Sequence, residues 1–153
     1  MDPSKTTHPP KKGFRITAFV VGLVFGILVL FAAAEVQEKT EAAAAWGSFA
    51  AAFGEDSMDA ELADIQALHS AADLGYLGAI AAIVGASLCF RSIKGGWVTL
   101  ASGSGVLLLC GLMGWEDAFF YAAALITATV FGFLARRAAV EQQAAAPIDE
   151  TPQ

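Results

Sequence analysis

Ser102 and Ser104, flanked by Gly103 and Gly105, come nearest in this chain to a phosphate-binding loop. Such a loop needs a following Lys-Ser/Thr, with the lysine reaching the phosphates, and none follows. A nucleophilic serine needs a base, and the surrounding uncharged run holds no His or Lys. Serines in such a run are expected to bond carbonyls of their own or a neighbouring helix. The acids Glu55, Asp56, Asp59, Glu61 and Asp64 offer oxygen ligands of the kind a hard cation wants. Their spacing does not match an EF-hand, and a solvated helix face is the plainer reading. His69 stands without the further ligands a zinc site requires. Cys89 and Cys110 belong to no CxxC and no Cys/His cluster, so neither a metal nor a thioredoxin-like reading has support. The expectation is no catalytic residue, no metal and no cofactor. Nor is there a nucleic-acid module, because the few basic residues sit beside apolar runs.

The composition points away from water. Of 153 residues 56% are apolar and only 16% charged, and mean hydropathy is +0.58. A soluble domain this small has too little interior to hide that much apolar surface. The apolar residues gather in four uncharged runs: Ile16 to Ala34, Leu74 to Phe90, Gly95 to Trp115 and Ala118 to Ala135. The first holds nineteen residues, close to what a helix needs to cross about 30 Å of hydrocarbon. The runs are continuous rather than alternating, which favours helices over a membrane barrel.

The basic residues orient these runs. Lys5, Lys11, Lys12 and Arg15 precede the first, Arg91 and Lys94 separate the second from the third, and Arg136 and Arg137 follow the fourth. In a four-span model all eight share one side, and only Lys39 falls on the other. The positive-inside rule makes that side cytoplasmic. The opposite side carries eleven acids against Lys39, a net −10, while the inner side nets +4. Three or five spans would scramble this separation. Lys11, Lys12 and Arg15, an apolar core and Ala32-Ala33-Ala34 also have the layout of a cleavable signal peptide. The core is longer than such signals use, so a retained span is expected.

The fold class expected is therefore all-α, an integral membrane four-helix bundle with both termini inside. Residues 1–13 read as a disordered cytoplasmic tail. A membrane domain follows over 14–137, with spans at about 14–35, 74–90, 96–114 and 118–135. The stretch 138–153 is expected to be a second cytoplasmic tail, frayed or disordered. The segment 36–73 is too long for a structureless loop. Alanines at 42–45 and 50–52 favour helix. Gly54 is placed to end that helix, and Asp56 or Ser57 to cap the next. Met58, Leu62, Ile65, Leu68 and Ala72 recur at helical steps. Spans one and two should thus extend outward as a hairpin turning near Phe53 to Asp56, acids toward water, with Trp46 packed within it.

Small residues four apart let helices approach closely. Gly22 with Gly26, Gly78 with Ala82, Ala81 with Gly85, Ala101 with Gly105, and the stripe Ala124, Ala128, Gly132 are the candidate packing or interface surfaces. Packing within one bundle is their plainer role; an oligomer or partner interface is the functional one. Cys89 and Cys110 fall at different depths, which disfavours an internal disulfide. Trp97, Trp115, Tyr76 and Tyr121 fall near the run ends, as interfacial aromatics do. The uncharged runs themselves contain no ionisable Asp, Glu, Lys, Arg or His, which proton-coupled carriers and intramembrane enzymes normally keep.

A long first loop, then Arg91-x-x-Lys94-Gly95-Gly96 joining two Gly-rich runs, then a short outer turn make the layout from Phe14 to Arg137 resemble small four-span bacterial membrane proteins of unknown function. The resemblance implies a topology and no activity. Claudin-like tetraspans carry a paired-cysteine outer loop, absent here. Small multidrug carriers have an acid in their first span, and Ile16 to Ala34 has none. The functional expectation is a non-enzymatic scaffold or accessory subunit in a bacterial inner membrane. Its partners would be lipid and another membrane protein or a second copy. An oligomeric channel or small-solute transporter lined by Ser102, Ser104, Thr127 and Thr129 is the alternative.

Overall fold

Each uncharged run has its own helix; three of the helices outrun their runs, while the third run ends in the turn beyond its helix. The computed structural model describes residues 11–51, 59–91 and 95–145. It comprises α1 (Lys11–Ala51), α2 (Asp59–Phe90), α3 (Gly96–Leu112) and α4 (Asp117–Ala145), with no strand among the described residues. Helix α1 is a single element of 41 residues, about 61 Å long. By length and composition α1, α2 and α4 are long and apolar enough to cross a membrane; α3, with 17 residues, is shorter. The expected turn near Phe53 to Asp56 and the caps at Gly54, Asp56 and Ser57 lie outside the described residues.

Neighbours in sequence are neighbours in space: α1 packs on α2, α2 on α3, α3 on α4, and α4 closes back on α1. Gly22 faces Ala86, and Thr40 faces His69, so α1 and α2 run antiparallel. Phe14 stacks on Phe131 and Phe25 meets Phe120, which sets α4 antiparallel to α1. The first residues of α1 and α3 and the last of α2 and α4 therefore share one end, where Lys12, Arg15, Arg91, Arg136 and Arg137 gather.

The seams follow a heptad rather than a simple four-residue step. In α1 the buried positions are Ala18, Gly22, Gly26, Val29, Ala33, Thr40 and Gly47, and from Gly22 onward they alternate steps of four and three or skip one rung. In α3, Gly96, Leu100, Gly103, Leu107 and Cys110 do the same. This 3.5-residue repeat keeps one face on the partner helix. The interior is built chiefly of Ala and Gly, and its largest fully buried side chains are Leu100, Leu107, Leu125, Val29 and Cys110. Larger side chains point out: Phe31 is 71% exposed, Leu77 61%, Leu112 76% and Phe120 66%. A water-soluble bundle has the opposite arrangement.

The turn from α3 to α4 is a Schellman motif. Trp115 N–H donates to Cys110 O at 3.1 Å and Gly114 N–H to Gly111 O at 3.3 Å. Gly114 has φ +102°, a conformation that side chains resist. The motif delivers Trp115 into the bundle, 3% exposed, with its ring against Gly75. At the other end of α4 the helix runs ten residues past Ala135, where a frayed tail is expected from the sequence. Helix-forming alanines and an Arg137–Glu141 pair at 3.1 Å support that extension.

Candidate functional site: the outer end of the α1–α2 pair

Beyond Ala34 the α1 seam continues without a break through Thr40 and Gly47. Opposite it, Leu62, Ile65 and Leu68 of α2 are half-buried and Ala72 is fully buried. The acids Glu35, Glu38, Glu41, Glu61, Asp64 and Asp73 all lie on exposed positions. Lys39 pairs with Glu35 at 2.6 Å. The hydrogen bond to Glu35, and then its charge, hold the Lys39 ammonium above its ordinary range. Both groups are in full solvent, where such a pair adds little stability.

One polar contact crosses the seam. Thr40, 3% exposed, donates its hydroxyl proton to Gln37 O at 2.9 Å and sits 3.1 Å from His69 Nδ1. With that proton used, the Thr40 oxygen is left to accept from a protonated Nδ1. The pair borders a cleft of about 400 Å³ that also touches Glu41, Gln66 and Ser70. His69 thus ties the hairpin together rather than standing alone on the surface. No group of three or more His, Cys, Asp or Glu among the described residues is placed to hold a metal.

The outward face of α1 is unlike its seam. Ala42, Ala45, Trp46 and Phe49 follow the i, i+3, i+4, i+7 pattern of one helical stripe and line a shallow recess of about 390 Å³. Trp46 is 73% exposed and Phe49 59%. Their rings meet edge to face, 6.1 Å apart. Trp46 therefore does not pack inside the hairpin, as its sequence position suggests. Gly47 occupies the seam, and one residue back along a helix is a rotation of about 100°. Trp46 lies eleven residues beyond Glu35, about 16 Å along the axis. It is far from the uncharged run, and the recess it lines is otherwise formed by Ala42, Ala45 and Phe49.

The small residues singled out in the sequence take different places. A Cβ on Gly22 would come within 2.8 Å of the Ala86 Cβ, and one on Gly26 within 2.7 Å of Ile83. Gly78 faces Leu107, Val106 and Gly103 O, Ala82 is fully buried, and Gly85 lies against Leu100 and Gly96. Gly132 contacts Cys89 and Trp97, Ala128 is buried, and Ala124 is half-buried. Gly105 has nothing within 4 Å of a Cβ position, and Ala101 is half-buried. Gly96, Gly103 and Gly111 make close approaches that a search for small residues four apart passes over, and Gly75, four from both Ala71 and Ala79, makes another. Counting back from Gly85 in alternating steps of three and four, through Ala82 and Gly78, reaches Gly75, whereas Gly96, Gly103 and Gly111 lie in another helix. Cys89 and Cys110 are both buried and unbridged.

The hydroxyls of Ser102, Ser104, Thr127 and Thr129 all bond within their own helices. Ser102 and Ser104 lie in continuous helix and donate to Val98 O and Leu100 O, at 3.0 and 2.9 Å. Thr127 and Thr129 donate to Ala123 O and Leu125 O. Comparison with protein families, with curated proteins and with solved structures finds nothing that matches this chain.

Proposed function

We propose that this chain is an integral protein of a bacterial inner membrane, spanning it four times with both termini inside. In this reading it serves as a non-enzymatic scaffold or accessory subunit. The observation that carries the reading is an inverted bundle: small residues inside, Phe, Leu, Ile and Val outside. Lipid is the solvent that accepts such an exterior. The basic ends collected at one pole fit the positive-inside rule. The 17-residue α3 reaches about 26 Å by itself, and the turn that follows it supplies the remainder.

The outer half of the α1–α2 pair then stands in the aqueous compartment with the Trp46–Phe49 stripe exposed. An exposed aromatic pair on a helix, bordered by alanines, is the composition of a protein-binding anchor. The partner is a membrane protein, or a second copy, that offers an apolar groove to these rings. Tagged protein extracted in mild detergent should co-purify with that partner or as an oligomer, and a Trp46→Ala/Phe49→Ala variant should lose it. A strictly monomeric, partnerless native chain would refute the reading. The channel alternative gains little, because the hydroxyls of Ser102, Ser104, Thr127 and Thr129 bond within their own helices. Solute flux in liposomes holding the purified protein would revive it.

A further inference from the structure

Between the start of α1 and the end of α2 lies a groove of about 290 Å³ lined by Lys12, Arg15, Ile16 and Phe90. Lys12 and Arg15 stand one helical turn apart on one wall. Neither forms an ion pair with an acid among the described residues, in contrast to Lys39 with Glu35 and Arg137 with Glu141. Arg136 is also engaged, lying over the Trp97 ring at 6.0 Å. The rest of the lining, Ile16 on the same helix and Phe90 across from it, is apolar and open: Ile16 is 52% exposed and Phe90 53%. Phe90 is held in place by Phe19, 4.9 Å between ring centres.

We infer that this groove is a binding site for an anionic phospholipid of the inner leaflet. The inference rests on the membrane reading above. The phosphodiester lies against Lys12 and Arg15, and the first part of an acyl chain runs over Ile16 and Phe90. Arginine presents a planar fork that matches phosphate oxygens, and lysine adds a compact charge. A free phosphate would leave Ile16 and Phe90 unused. A zwitterionic lipid would leave the two cations without a net opposite charge. The groove joins the two kinds of surface only where a headgroup meets its chains, which is the depth that basic residues flanking a span occupy.

The test uses the full chain, delipidated in non-ionic detergent, with bound lipid counted by native mass spectrometry. The probes are phosphatidylglycerol, phosphatidylcholine of the same acyl chains, and glycerol phosphate. The native chain should retain phosphatidylglycerol over phosphatidylcholine by roughly thirtyfold, the preference two surface cations confer. Lys12→Gln/Arg15→Gln should bring the two lipids to parity, with helicity by circular dichroism unchanged. Arg137→Gln, whose cation is already paired, should keep the preference. Equal retention by the native chain, a preference that survives the double substitution, or glycerol phosphate competing as well as lipid would overturn the site. An alkaline carbonate wash separates the two ideas. A chain released to the supernatant defeats the membrane reading itself, while a chain kept in the pellet without lipid preference defeats only this groove.

Discussion

Gly85 and Gly105 have the same residue type and opposite surroundings. A Cβ on Gly85 would stand 2.6 Å from the Leu100 backbone nitrogen, which belongs to a helix and cannot swing aside. Gly85→Val should therefore destabilise the bundle by about 1–3 kcal/mol through overpacking. At Gly105 the space is open, so Gly105→Ala should be neutral or add about 0.5–1 kcal/mol from helix propensity. Thermal unfolding in detergent measures both, and equal responses would show that the α2–α3 seam is misplaced. Gly114→Ala should cost roughly 1–2 kcal/mol, because an L side chain resists its positive φ. The same melts check it. At this scale the sequence was a partial guide. It marked glycines that permit close approach, but a four-residue spacing names two candidate faces and the heptad chooses between them. Thr40 and His69 are 29 positions apart, and no local pattern links residues so distant. Only the position of Thr40, seven residues past Ala33 on the small-residue seam, hints at a polar rung.

That a helix exists was clearer in the sequence than how far it runs. An uncharged run declares where an element must exist, because nothing else hides so many apolar side chains at once. It does not declare where the element stops. Helix α1 passes through Ala32 to Ala34, the layout of a signal-peptide cleavage site, with Ala33 fully buried, and goes on to Ala51. Charged residues end a membrane run without ending a helix, since Glu and Lys are good helix formers. The same holds for α4 beyond Arg137. The outward stripe of α1 is where element and function meet. Trp46→Ala should leave the folding stability of the isolated protein within about 0.5 kcal/mol of native, as exposed positions do, while abolishing co-purification of the partner. A variant that unfolds would place this ring in the hairpin's own packing instead.

For the whole molecule the governing fact is a reversal of the usual arrangement. Ala and Gly fill the middle, Phe and Leu cover the outside, and among the described residues every cation but Lys39 lies at one end and every acid but Glu141 at the other. Composition and the order of basic residues made this legible before any coordinate, because bilayer thickness and charge asymmetry act on long stretches rather than on single contacts. Partner identity was not legible, since an exposed aromatic pair specifies a surface and not what covers it. The sorting also forecasts how the molecule sits. With Cys89 and Cys110 replaced by Ala, single cysteines at Asp64 and Arg91 can be challenged with a membrane-impermeant maleimide on intact spheroplasts and again after lysis. Asp64→Cys should react in intact spheroplasts, and Arg91→Cys only once the membrane is broken. Reaction of both from the outside would contradict the account, because the two ends of α2 would then share one aqueous compartment with no bilayer between them.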